Sequence, residues 1–84
     1  MIKITTQHDG NSTMIRIEGV LDANALGGLR HALKAVPEAQ RVTVELAGLT
    51  AISPEGRGFL MALDAIGCKL IGASLYISRL LEEV

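Results

Sequence analysis

The sequence predicts an α/β fold: a mixed four-stranded sheet with helices packed on it, in the order β-β-α-β-α-β-α. Two alternating apolar runs, Ile2–Ile4 and Met14–Glu18, flank the polar turn Asp9-Gly10-Asn11, the pattern of a β-hairpin. Three stripes of aliphatic residues then follow at helical spacing. Short apolar runs separate the stripes, so strands and helices alternate after the hairpin. That alternation calls for right-handed crossovers and a largely parallel sheet. Three helices on so small a sheet cover one face. The other is left partly open, which points to a partner.

In the first strand Ile2 and Ile4 alternate with Lys3 and Thr5. Gln7–Thr13 reads as a loop longer than the tightest hairpin connection. In the second strand Ile15 and Ile17 share one face, and Gly19 ends the run. Asp22 or Asn24 caps the first helix, expected over Asn24–Val36, where Leu26, Leu29, Leu33 and Val36 form one stripe. Gly27 and Gly28 each cost roughly 1 kcal/mol relative to alanine inside a helix, tolerable where the helix packs closely on the sheet. Pro37 stops it. His31 lies off the stripe and is exposed. Arg41–Ala47 places Val42, Val44 and Leu46 on one face of an interior strand. The second helix is expected over Pro54–Ile66, with Phe59, Leu60, Leu63 and Ile66 as its stripe and Gly67 as its left-handed end. Cys68–Ala73 is a short apolar strand. Ser74 caps a third helix, Ser74–Glu83, carrying Ile77, Leu80, Leu81 and Val84. Leu29, Leu33, Val44, Leu46, Leu63 and Leu80 are expected to be buried together.

The chain is organised around Thr50–Leu60, where a buried strand hands over to a helix. Ser53 is a good N-cap, Pro54 suits the first helical position, and Glu55 places a carboxylate in the first turn. Gly56 and Gly58 keep that turn thin, so another backbone or a partner could approach closely. From spacing alone, a well-built helix start weighs more than a recognition corner.

Composition narrows the function. Apolar residues make up 49% of 84 residues and aromatics only 2%, so the core is aliphatic and no flat surface exists for stacking bases or sugars. A net charge of −1 with interspersed signs gives no basic field for nucleic acid. The single cysteine excludes an internal disulfide and a multi-cysteine metal site; Cys68 reads as a buried small hydrophobe. MIKITT is not a signal peptide, and no later apolar run reaches the length of a membrane span. These features predict one soluble, cytoplasmic domain without membrane insertion. Two histidines, His8 and His31, offer no metal site. Ser53 has no histidine expected nearby, and Asp22, Glu45 and Glu55 form no paired acid site, so no enzyme is predicted. Gly56-Arg57-Gly58 is too short to cradle a phosphate, and no cofactor is expected.

The runs GVLDANALGGLRHAL, VTVELAGLTAISPEGRGFL and GCKLIGAS, followed by an amphipathic helix, resemble the STAS domain, the family of sulphate transporters and anti-sigma-factor antagonists. The resemblance begins near Met14. Gly19-Val20-Leu21-Asp22 matches the family's G-x-x-D, Val42–Ala47 its apolar strand with an acidic residue, and the corner its D-S-x-G loop. Ser53 falls on the family's aspartate, Pro54 on its phosphorylatable serine, Glu55 on the next residue and Gly56 on the glycine. Glu45 stands where aspartate is usual. Proline has no hydroxyl, so the family's serine switch cannot operate at 54. Glu55 could supply a permanent charge there, although a carboxylate carries about half the charge of a phosphate. The helix after the corner is about one turn short, and many relatives continue with another strand and helix. The resemblance therefore implies a short, single-domain STAS form over residues 1–84.

It further implies a non-catalytic protein-interaction module, with Asp22, Ser53, Pro54, Glu55, Gly56 and Arg57 as partner-binding residues. Because loops that follow strands into helices gather at one end of such a sheet, Asp22 is expected beside the corner. The implied partner is an anti-sigma factor with a kinase-like fold. The alternative is a small cytoplasmic STAS subunit or regulator of a membrane transporter. Self-association, and transfer of phosphorylation to Ser53 or Thr50, stay open at this point.

Overall fold

The computed structural model describes residues 2–82. Its elements are β1 (Ile2–Asp9), β2 (Ser12–Leu21), a 3-10 turn (Ala23–Ala25), α1 (Leu26–Lys34), β3 (Arg41–Ile52), α2 (Pro54–Ala65), β4 (Lys69–Ile71) and α3 (Leu75–Glu82). The sheet order is β1-β2-β3-β4. The β1–β2 pair is antiparallel; β3 runs parallel to both of its neighbours. The mixed four-stranded sheet and the order β-β-α-β-α-β-α are as the sequence predicts, with β3 in the interior. Of the third helix, Glu83 and Val84 lie outside the described residues.

Period-two alternation sets the two faces of the sheet. Ile15 and Ile17 of β2 share a face with Val44 and Leu46 of β3, and all four are fully buried. Leu29 of α1, Leu60 and Leu63 of α2, and Ile77 of α3 close over them in one continuous cluster. The opposite face is hydrated. Lys3 stands across from Glu18, and Arg16 across from Glu45, the latter pair joined at 2.7 Å. That open face offers polar, sign-balanced surface, so its openness does not of itself point to a partner.

Several expectations need correction. The hairpin loop is the tightest kind: Asp9 pairs with Ser12, leaving only Gly10 and Asn11 between the strands. Gly10 takes a φ of 59°, the positive value that a type II′ turn requires at its first loop position. Gly19 does not end β2. The ladder shifts register beside it, where Thr50 of β3 is the extra residue, and β2 runs on to Leu21. Leu33 and Leu80 are only half-buried, packed against the rim of the core, whereas Leu29, Val44, Leu46 and Leu63 are buried as expected. Ile66 is 77% exposed, because α2 ends one residue before it and its side chain escapes the helix stripe. Cys68 is half-buried rather than buried, and desolvation pushes its thiol pKa up.

Thr13 is the buried polar residue of the described core. Its hydroxyl donates to Gln40 Oε1 and lies 3.0 Å from His8 Nδ1, so it is satisfied where desolvation would otherwise be costly. Ser74 caps α3 through its Oγ, which accepts the Ile77 N–H at 3.1 Å. Gly67 closes α2 at a φ of 98°.

The depth of each leucine fixes a rank order. Leu29→Ala removes a fully buried side chain and should cost about 2–5 kcal/mol, a large share of a total near 5–8 kcal/mol. Leu33→Ala, half-buried on the same helix, should cost clearly less. Urea unfolding midpoints of the two variants test this; a lower midpoint for Leu33→Ala would contradict the packing described.

Candidate functional site

The corner is built where two parallel strands end together. Leu21 is the register partner of Ile52, so Asp22 and Ser53 leave the sheet side by side. The Ser53 N–H donates to the Leu21 carbonyl at 2.9 Å, tying the two strand ends to each other. Ser53 Oγ then accepts the Gly56 N–H at 3.1 Å, and its carbonyl accepts the Arg57 N–H at 2.9 Å. Pro54 occupies the first helical position, where no donor is needed. Asp22 does the same for the preceding segment: its Oδ1 accepts the Ala25 N–H at 3.1 Å. The sequence left Asp22 and Asn24 as alternative caps of the first helix; Asp22 caps the 3-10 turn that leads into it, and α1 itself starts after Ala25 without a side-chain cap. Both residues expected at this end of the sheet are there, and both act as caps.

The two glycines of the first turn have different roles. Gly56 is buried, and a Cβ on it would be driven into the Leu21 carbonyl oxygen and lie 3.0 Å from Leu21 Cγ. Only a hydrogen side chain allows this approach. At Gly58 an added Cβ would meet nothing within 4 Å. The close approach expected at both positions is thus made at Gly56 alone, and by the chain's own β2.

The charges of the corner also divide. Glu55 is exposed in the first turn of α2. Arg57 is half-buried, and its Nε donates to the Leu80 carbonyl at 2.6 Å. That carbonyl belongs to α3, so the bond runs between two helices. Arg57 therefore ties α2 to α3. Thr50 is exposed on β3, its hydroxyl donating to the Gly19 carbonyl at 3.0 Å. Glu45 lies on the open sheet face with Arg16. Among the described residues no group of three or more His, Cys, Asp or Glu could hold a metal ion.

One surface runs further along α2 than the corner residues the sequence singled out. With Gly56, Leu60 and Leu63 turned inward, the outward face of α2 carries Pro54, Gly58, Met61, Ala62 and Ala65, all exposed. It bears no charge along its length; Glu55 and Asp64 flank it. Met61 is 42% exposed. Phe59, half-buried at one margin, sits under the Arg30 guanidinium at 5.2 Å from the ring centroid, which joins α1 to α2. The signal was present in the sequence, since positions 54, 58, 61 and 65 recur at helical spacing, but only Pro54 and Gly58 were singled out there.

Comparison with known proteins matches residues 4–80 to the family model described as "Mlab, STAS domain". No curated protein matches. Among solved structures, that of the anti-sigma factor antagonist SpoIIAA in its unphosphorylated form superposes with a TM-score of 0.71 at 17% identity, over 95% of this chain and 82% of that one. A crystal structure of Mglu gives a TM-score of 0.64 at 21% identity, over 79% of this chain. The matched part is 18% of the Mglu chain. At these identities the superpositions establish the shared fold.

The two glycines give a paired test. Gly56→Ala should destabilise by several kcal/mol, because the methyl meets backbone that cannot yield. Gly58→Ala should be neutral or stabilise by about 0.5–1 kcal/mol, through better helix propensity at an open position. Thermal melts of the two proteins decide it, and equal effects would refute the clamp at Leu21.

Proposed function

The chain belongs to the STAS domain family, and on that premise we propose that it is a non-catalytic docking module whose contact surface is the start and outer face of α2. The fold and family are those of a regulatory or protein-interaction module. The observation that carries the finer reading is the outer face of α2: Pro54, Gly58, Met61, Ala62 and Ala65 form an exposed, uncharged strip on a helix whose first turn is anchored to Ser53 and, through Arg57, to α3. Desolvating such a strip costs little, because it holds no charge and few rotamers. Glu55 at its rim supplies steering and orientation. Asp22 and Ser53 support the surface from behind as caps, and Arg57 holds it against α3. The proposed partner is a protein, first an anti-sigma factor of kinase-like fold. A small STAS subunit seated on a transporter would use the same strip, and the identity of the captured protein separates the two readings.

The docking surface is proposed to be unswitched. Position 54 has no hydroxyl. The Ser53 hydroxyl is engaged with the Gly56 N–H, and a phosphate placed there would face the Glu55 carboxylate and find one donor fewer at Pro54.

Capture from native lysate by wild type, Met61→Glu and Glu55→Lys tests the surface. Met61→Glu should reduce capture roughly tenfold or more, since a carboxylate would be buried against an apolar strip, while leaving the melting temperature unchanged. Glu55→Lys should slow association and change its salt dependence. Normal capture by Met61→Glu would refute the strip as the contact.

Incubation with a kinase of the partner class and ATP should leave Ser53 and Thr50 unmodified by mass spectrometry. Stoichiometric phosphate at either residue would show a working switch.

A further inference from the structure

We propose that the outer edge of β1 is a self-association surface, on which a second copy of this chain adds its own β1 antiparallel, with Lys3 opposite the partner's Asp9 at both ends. β1 is an outer strand of the sheet, and its eight residues pair with β2 without a bulge. Thr5 through Asp9 are all exposed. α1 approaches the other end, where Gly28 lies near Ile4. The strand holds no proline, and its charged residues are Lys3 and Asp9. The usual protections of an edge strand, a bulge, a proline, a central lysine or a covering loop, are missing from it.

The phase of the ladder determines which groups the edge offers. A two-residue loop is closed by a hydrogen-bonded pair, here Asp9 and Ser12, and such pairs recur at every second residue. Lys3, Thr5, Gln7 and Asp9 therefore turn their N–H and C=O groups towards β2. Those of Ile4, Thr6 and His8 point outwards. In the proposed register Thr6 faces the partner's Thr6 and Ile4 faces the partner's His8, so the outward groups of both copies meet and exchange hydrogen bonds. Each residue also meets one from the same face of the sheet, as continuous pleating demands.

Charge selects this register over its neighbours. Lys3 and the partner's Asp9 then form directly opposed pairs, related by the two-fold axis, at positions where the side chains of facing strands come closest. Among the described residues the recorded ion pair is Arg16–Glu45, so neither Lys3 nor Asp9 is engaged in one. On the open face the row would read Glu18, Lys3, the partner's Asp9. Sliding the strands by two residues in either direction keeps the faces matched but separates both charge pairs. The contact is isologous, so it closes at two copies and consumes the edge. It uses a single eight-residue strand from each copy, a small contact by the standard of specific interfaces, so the dimer is expected to be weak. It lies away from α2, and the inference stands independently of the docking surface proposed there.

Sedimentation equilibrium of the full chain from about 10 μM to about 1 mM, the range suited to a small interface, tests the proposal. Wild type should pass from monomer to dimer and stop there. Lys3→Asp should weaken the dimer roughly tenfold or more, since both charge pairs become repulsive. The double variant Lys3→Asp with Asp9→Lys should restore it. Thr6→Pro removes an outward N–H at an edge position that tolerates proline and should abolish the dimer; thermal melts confirm that each variant is folded. A wild type that stays monomeric throughout, or that grows beyond two copies, would overturn the proposal. So would a Lys3→Asp dimer as tight as wild type, or a double variant that does not recover.

Discussion

The architecture depends on one close contact, the backbone of Gly56 against the carbonyl of Leu21. That carbonyl already accepts the Ser53 N–H at 2.9 Å, so the end of β2 is held by both the cap residue and the first turn of α2. Fixing Gly56 inward fixes the rotational phase of the helix. Leu60 and Leu63, four and seven residues on, must then point into the core, where they are buried. Gly58, Met61 and Ala65 must point out. Arg57, adjacent to the clamp, is carried to the side where it reaches Leu80. The identity of the exposed surface therefore follows from a steric constraint made entirely inside the molecule.

Much of the fold was legible because its signals are local. Ser53 and Ser74 announce their helices by cap chemistry, and both make the cap hydrogen bond. Apolar alternation in Arg41–Ala47 identified the interior strand. The corrected features depend on partners distant in sequence. Gly56 and Gly58 look alike until Leu21 is placed beside one of them. Leu29 and Leu33 fall on the same stripe, yet one sits over the middle of the sheet and the other at its rim. Past Gly19, β2 keeps pairing with β3 across a register shift whose extra residue, Thr50, lies in β3, which no pattern within residues 14–21 records.

The candidate site was legible to the same extent. Asp22 and Ser53 lie side by side as expected, because parallel strands that end in register must release their loops together. Arg57 was placed with Glu55 as a surface charge, since the two are near neighbours in sequence. The sequence shows its charge and not its acceptor, a backbone carbonyl on another helix. The open sheet face was similarly misjudged from coverage alone. Its Arg16–Glu45 pair has side chains 49% and 22% exposed, so it contributes at most about 1 kcal/mol. What the pair does is keep that face hydrated and neutral.

The corner is at once a fold element and the rim of the proposed contact surface, and this explains why a switch would sit badly there. In Ser53 the same oxygen that a phosphate would modify accepts the Gly56 N–H. Gly56 is the residue whose position sets the phase of α2. A modification that moved this cap would disturb the clamp at Leu21 together with the strip it orients, so regulation and folding would be coupled through one hydrogen bond. Proline at the next position separates them. It presets the helical φ without a side chain that can be modified, and it leaves Glu55 as a fixed negative charge at the positive end of the helix. On the proposed reading, one conformation of the contact surface would be held, and the stability of the helix start would become the stability of that surface.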